Sequence, residues 1–146
     1  MVTQYGTRYT IDLSGVVSKR YRDMIIEPTS QTPFIKFSEE EGIFMIKGNS
    51  TRENIQQVYE PVISKVKCLL DQDKPLKIYL FFKNLNLGTV RILFDFLKFV
   101  SSKQKSGNRK IQITWGTESS CLEMHEVGRD FAEMYEVKFD FIEGES

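Results

Sequence analysis

Cys121 and His125 stand four residues apart, which on a helix places a thiol and an imidazole one turn apart on one face, as two metal ligands would be. Two ligands do not complete a tetrahedral site, and Cys68 falls in a different element, so no metal is expected. His125 is the single histidine, and no Ser or Cys nucleophile has a recognisable setting beside it, so an acyl-transfer triad is not expected either. Glu39, Glu40 and Glu41 read as a solvated turn. Glu118, Glu123 and Glu126 read as the first turn and outer face of a helix, and nothing selects a pair of these carboxylates for acid–base work. Leu87-Gly88-Thr89 has one glycine and no GK[ST] ending, so a nucleotide-cradling loop is not supported and no cofactor is expected. What remains is the hydroxyl of Thr89, at the start of a helix where free N–H groups and the positive dipole end favour a phosphate. Thr89 has two readings, a phosphoacceptor or a plain helix cap, and the cap is favoured.

The stretch that positions Thr89 runs from Leu76 to Val100. Ile78 to Phe82 is apolar without a break, as expected of a central strand covered on both faces. The chain turns through residues 83–89 and continues as a helix from about Gly88 to about Lys105, since no Gly or Pro interrupts it before Gly107. In open α/β sheets such a strand-to-helix junction is where sites usually sit. Here a regulatory surface is expected rather than a catalytic one. The helix carries too many apolar residues for one stripe. Val90, Leu93, Leu97 and Val100 make one face, and Ile92, Phe94, Phe96 and Phe99 widen it nearly all round. Either the helix is buried under the N-terminal arm or part of it meets another protein. The candidate partner surface is Asn86, Leu87, Gly88, Thr89, Arg91, Phe94 and Asp95.

Around this stretch the elements alternate. Phe34–Phe37 and Ile43–Lys47 read as a hairpin with an acidic tip at residues 38–42, ended by Gly48-Asn49. Ser50 or Thr51 is expected to cap the next helix, with Glu53 in its first turn. That helix carries Ile55, Val58, Tyr59, Val62, Val66, Leu69 and Leu70 on one stripe to about Leu70, with a kink or break at Pro61. A strand at Ile111–Trp115, a helix from about Glu118 to Met134 and a strand at Val137–Ile142 follow. The three strands joined by helices are expected to be parallel. Residues 1 to about 27 are ambiguous: Tyr9, Ile11 and Leu13 alternate, and an edge strand, a short helix or a mobile arm all fit.

The chain has 146 residues, enough for one domain with a real core, and 11 Phe to fill it. Its 20 basic and 20 acidic residues balance, which argues against a dedicated nucleic-acid binder. Two cysteines suggest reduced thiols in a cytosolic protein. The first residues lack a charged segment followed by an apolar one, and no run reaches membrane-spanning length, so neither a signal peptide nor a membrane partner is expected.

From about Ile26 to Glu143 the chain resembles the SiaC-type regulatory phosphoproteins of bacteria. The matching residues are Thr32-Pro33, Gly42, Gly48-Asn49-Ser50, Glu53-Asn54, Tyr59-Glu60-Pro61, Leu85-Asn86, Trp115, and Glu126-Val127-Gly128 with Phe131. The resemblance implies a fold like the STAS domains of anti-sigma-factor antagonists: a single α/β domain at 26–146. It would have a mixed sheet of about five strands, an N-terminal hairpin, a parallel C-terminal part and three helices, with residues 1–25 as an extension. It also implies a non-enzymatic cytoplasmic switch protein in cyclic di-GMP signalling. In this family a serine/threonine kinase phosphorylates a hydroxyl at the start of the central helix, a phosphatase reverses this, and the unmodified form binds and stimulates a diguanylate cyclase. The family motif at that turn reads Asn-Thr-Ser-Ser, with the Thr as acceptor. This chain reads Asn86-Leu87-Gly88-Thr89, so the acceptor position is Leu87 and only Thr89 keeps a hydroxyl. A small enzyme using the same strand-end cleft, and self-association through the central helix, are the alternative readings.

Overall fold

The computed structural model describes the backbone of residues 3–4, 7–11, 17–107 and 110–144 and, from Asp23 onward, their side chains. The elements in chain order are β1 (Thr3–Gln4), β2 (Thr7–Ile11), β3 (Val17–Ile26), β4 (Phe34–Ser38), β5 (Ile43–Ser50), α1 (Gln56–Asp71), β6 (Leu76–Leu85), α2 (Leu87–Lys105), β7 (Ile111–Thr117), α3 (Leu122–Tyr135) and β8 (Phe139–Glu143). The expected mixed α/β architecture is what forms. The sheet runs β1-β3-β4-β5-β6-β7-β8, with β2 paired to β3. Strands β3, β4 and β5 are antiparallel, whereas β5, β6, β7 and β8 are parallel.

Of the readings open for the N-terminal segment, the strand is the one adopted. Asp23–Ile26 of β3 pairs with Ser38–Ile35 of β4, and β2, which holds Tyr9 and Ile11, pairs with the earlier part of β3. Leu13 lies outside the described residues.

The expectation that the central strand is covered on both faces is corrected. In β6, Leu76, Ile78, Leu80 and Phe82 are buried, while Lys77 and Lys83 are exposed and Tyr79 and Phe81 only half-buried. Each of the three crossovers advances the sheet by one strand in the same direction. Right-handed crossovers then place α1, α2 and α3 on one face and leave the other open. The apolar Phe81 on that open face lies across Gly116 of β7, with the Lys47 ammonium 5.8 Å from its ring centre.

The same layering explains the apolar girth of α2, which lies between α1 and α3. Leu93, Phe96, Leu97 and Val100 are buried against the sheet. Phe94 turns to α3, with its ring 5.2 Å from Phe131 and 6.3 Å from Tyr135 in edge-on contacts. Phe99 meets the ammonium of Lys67, on α1, at 5.2 Å. Two flanking helices take up much of the extra apolar surface.

Two helix starts move from their expected places. Helix α1 begins at Gln56 because β5 runs on to Ser50, the N–H groups of Thr51 and Arg52 bond to the Gln31 carbonyl, and Asn54 takes a left-handed backbone (φ 56°). Ser50 and Thr51 therefore cap nothing, and α1 passes through Pro61 without interruption. Helix α3 begins at Leu122 because β7 extends to Thr117, which pairs with Glu143.

Candidate functional site at the start of the central helix

The C-terminal ends of β5 and β6 pair at Ser50 and Leu85, and α2 leaves the sheet one residue later. Asn86 makes that departure. Its backbone is extended (φ −101°, ψ 175°), and its Oδ1 accepts the Thr89 N–H at 2.9 Å, so Asn86 is the N-cap of α2. Its Nδ2 donates to the Arg52 carbonyl at 3.1 Å, and its own N–H donates to the Ser50 carbonyl at 2.9 Å.

With Asn86 as cap, Leu87, Gly88 and Thr89 occupy the first three helical positions. Thr89 is thus not the cap the sequence favoured. Two helical steps rotate a side chain by roughly 200°, so Leu87 and Thr89 point opposite ways. Leu87 is 64% exposed, whereas Thr89 is 0% exposed.

The buried Thr89 hydroxyl closes a chain of hydrogen bonds. Tyr59 Oη lies 2.7 Å from Ser50 Oγ, and Ser50 Oγ lies 2.6 Å from Thr89 Oγ1. Thr89 Oγ1 lies 2.9 Å from both the Ser50 carbonyl and Asn86 Oδ1. Proton counting gives the chain a direction. If Tyr59 donates to Ser50 and Ser50 to Thr89, the single Thr89 proton goes to the two carbonyl-type oxygens, which only accept. Burial pushes the Tyr59 phenol well above its ordinary range, with the Ser50 hydrogen bond opposing.

Outside this buried corner, Leu87, Arg91 and Asp95 follow one another at four-residue spacing along the exposed side of α2. A groove of about 320 Å³ runs beside them between α1 and α2, lined by Gln56, Glu60, Ile63, Ile92 and Asp95 among others. Phe94 is half-buried against α3, and partial burial followed by the Asp95 carboxylate raises the Tyr135 phenol. Of the seven residues expected to form a partner surface, Leu87, Arg91 and Asp95 present themselves outward, Phe94 braces α3, and Asn86, Gly88 and Thr89 build the turn. Ser50 and Tyr59 belong to the site but were read as a cap and a core residue. Their signal, a pair of hydroxyls buried where two strands end, depends on a contact 39 residues long between Ser50 and Thr89.

Cys121, the residue before α3, and His125, on α3, lie elsewhere; the imidazole rests 5.2 Å from Phe141 and 3.4 Å from the Arg129 guanidinium. Among the described residues no three His, Cys, Asp or Glu side chains gather as metal ligands would, and no helix is long and apolar enough to cross a membrane.

Residues 26–144 match the sequence profile of the SiaC family regulatory phosphoproteins. The chain belongs to that family. An uncharacterized protein of Pseudomonas aeruginosa (strain UCBPP-PA14) is 26% identical over 112 residues, covering 76% of this chain and 88% of the relative. The crystal structure of apo-SiaC from Pseudomonas aeruginosa superposes with a TM-score of 0.74 at 25% identity, over 84% of this chain and 98% of the other. A chain from the crystal structure of diguanylate cyclase SiaD in complex with its activator SiaC, from the same organism, gives a TM-score of 0.78 at 24% identity, over 84% and 100% of the two chains.

The residues that carry the SiaC resemblance are scattered in sequence, yet several converge on this corner. Asn84 Nδ2 donates to Asn49 Oδ1 at 3.0 Å, Ser50 meets Tyr59, and Asn86 meets the carbonyls of the same loop. Gly48 takes φ 125°, a backbone that L side chains rarely adopt, and so lets β5 bend beside Pro33. A second group sits beneath α3, where Gly128 lies against Trp115, whose Nε1 donates to the Met124 carbonyl at 3.1 Å.

Proposed function

We propose that this SiaC-family chain is a non-enzymatic, cytoplasmic regulator that docks on a diguanylate cyclase through the outer face of α2 and does so without phosphorylation. The carrying observation is the opposition of Leu87, 64% exposed, to Thr89, 0% exposed. At the family's acceptor position stands an apolar knob with no hydroxyl. The one hydroxyl left in the motif is turned inward, with its proton and lone pairs engaged by Ser50 and Asn86. A phosphate would add about −1.5 to −2 charges to this turn. Leucine keeps it neutral and apolar, like the unmodified form that the family resemblance implies is the one that binds the cyclase. The hydroxyls at the corner are committed to one another, which suits a scaffold better than a catalytic group. Residues 26–146 would act as the docking domain, with β1, β2 and the first part of β3 extending its sheet.

The test is direct binding and stimulation of a purified SiaD-type diguanylate cyclase by this chain and by Leu87→Asp. Stimulation by the parent and its loss in Leu87→Asp are expected. Equal stimulation by both would remove the Leu87 surface.

A further inference from the structure

The chain of hydroxyls beneath Leu87 extends past what a helix cap needs. Asn86 alone caps α2, and neither Ser50 nor Tyr59 shares an element with it. We infer that Tyr59, Ser50 and Thr89 are positioning residues for the docking surface: they fix the first turn of α2 against β5 and α1, and so set where Leu87 points. This inference rests on the docking function proposed above.

Three links carry it. Thr89 Oγ1 and the Asn86 N–H both bond to the Ser50 carbonyl, so the last residue of β5 grips α2 at the cap and at the third helical position. Ser50 Oγ ties this grip to α1 through Tyr59, whose ring is buried. Leu87 has no such anchor; its orientation follows from residues on either side of it, Asn86 and Thr89. Rotating Leu87 inward by unwinding the first turn would strand Thr89 Oγ1, Ser50 Oγ and Tyr59 Oη together, because each hydroxyl is the partner of the next. The turn is thereby held in its wound form, and a partner that needs Leu87 outward meets it already in place.

The position of each residue in the chain predicts an ordered response. Tyr59 is the first donor, so Tyr59→Phe removes one bond and leaves the Ser50–Thr89 link intact. Thr89→Val keeps the shape but removes the link and both of its acceptor contacts. Thr89→Ser retains the hydroxyl.

The experiment is amide hydrogen exchange on the free full-length protein, resolved at Thr89 and Val90, whose N–H groups bond to Asn86. Thr89→Val should accelerate these two amides by about tenfold, while the amides of β6 and β7 keep their protection. Thr89→Ser should restore the parent rates, and Tyr59→Phe should fall between. The same variants, titrated against a purified SiaD-type diguanylate cyclase, should lose affinity in the same order. Unchanged exchange at Thr89 and Val90 in Thr89→Val overturns the inference. So does acceleration spread evenly over the sheet, which a merely structural role would give. Because exchange is read on the free chain, failure of the cyclase to bind would strike the docking function alone.

Discussion

Ser50 Oγ and Thr89 Oγ1 lie 2.6 Å apart, joining the end of β5 to the first turn of α2 across 39 residues of sequence. The contact turns the only hydroxyl of the motif away from solvent. A kinase would have to open the turn to reach it, breaking the bonds to Ser50 and Asn86 at the same time. Incubation with the organism's own cognate kinase, followed by peptide mass mapping, is therefore expected to find Thr89 unmodified. Near-complete phosphate on Thr89 would refute this. Leu87→Thr with Gly88→Ser should gain phosphate at residue 87. Room exists for the second change, since a Cβ on Gly88 would stand 3.4 Å from Ile55 Cγ2 and 3.5 Å from Asn86 Oδ1, ordinary contacts.

Arg91 and Phe94 are expected to separate docking from folding. Arg91 is exposed, so Arg91→Glu should change stability by no more than about 0.5 kcal/mol while weakening capture of the cyclase. Phe94 is half-buried against Phe131 and Tyr135. Phe94→Ala should cost on the order of 2 kcal/mol, from lost packing and a lost edge-on pair. Denaturant unfolding of both variants, beside a binding titration, checks the split. A strongly destabilised Arg91→Glu would contradict it.

The architecture was legible because its signals are local. Alternation in Ile111, Ile113 and Trp115 marks β7, and the turn at Glu39–Gly42 marks the hairpin. What could not be read is which neighbour each apolar residue meets. Phe94 and Phe99 look alike in sequence, yet one packs on α3 and the other toward α1. Tyr79 and Phe81 looked buried because the run is unbroken, and the single-sided crossovers left them on the open face. The site was half legible. The strand-to-helix turn was expected over residues 83–89, which brackets the observed junction, but the cap fell on Asn86 rather than Thr89, because capping depends on where the helix begins to within one residue.

Tyr59 gives the fold an alkaline limit. Its phenol is held neutral by burial, with a folded-state pKa raised above the unfolded one. The unfolded chain ionises near the ordinary tyrosine value of about 10. Stability from this group is therefore complete below that pH and is lost as pH rises above it. Unfolding free energy measured across the alkaline range should fall more steeply for the parent than for Tyr59→Phe. Parallel curves would contradict the assignment.

Two glycines that lie against aromatic rings, Gly128 and Gly116, make a sharper pair. A Cβ on Gly128 would come 2.5 Å from Trp115 Cδ1 and Nε1, and one on Gly116 would collide with the Phe81 ring. The collisions look alike, but the rings differ in freedom. Trp115 is fully buried, stacked on Phe139 at 6.0 Å and bonded to the Met124 carbonyl, so it has nowhere to go. Phe81 lies half-buried on the open face and can swing toward solvent. Gly128→Ala gains about 1 kcal/mol of helix propensity, against an overpacking cost of roughly 1–3 kcal/mol that falls at its upper end for a ring without room to move. The net change should be destabilising by about 2 kcal/mol. Gly116→Ala gains strand preference and displaces a ring at an open face, so it should cost less than about 1 kcal/mol. Chemical denaturation of the two variants decides it, with near-quantitative exchange of the order, Gly116→Ala the worse, as the contrary result.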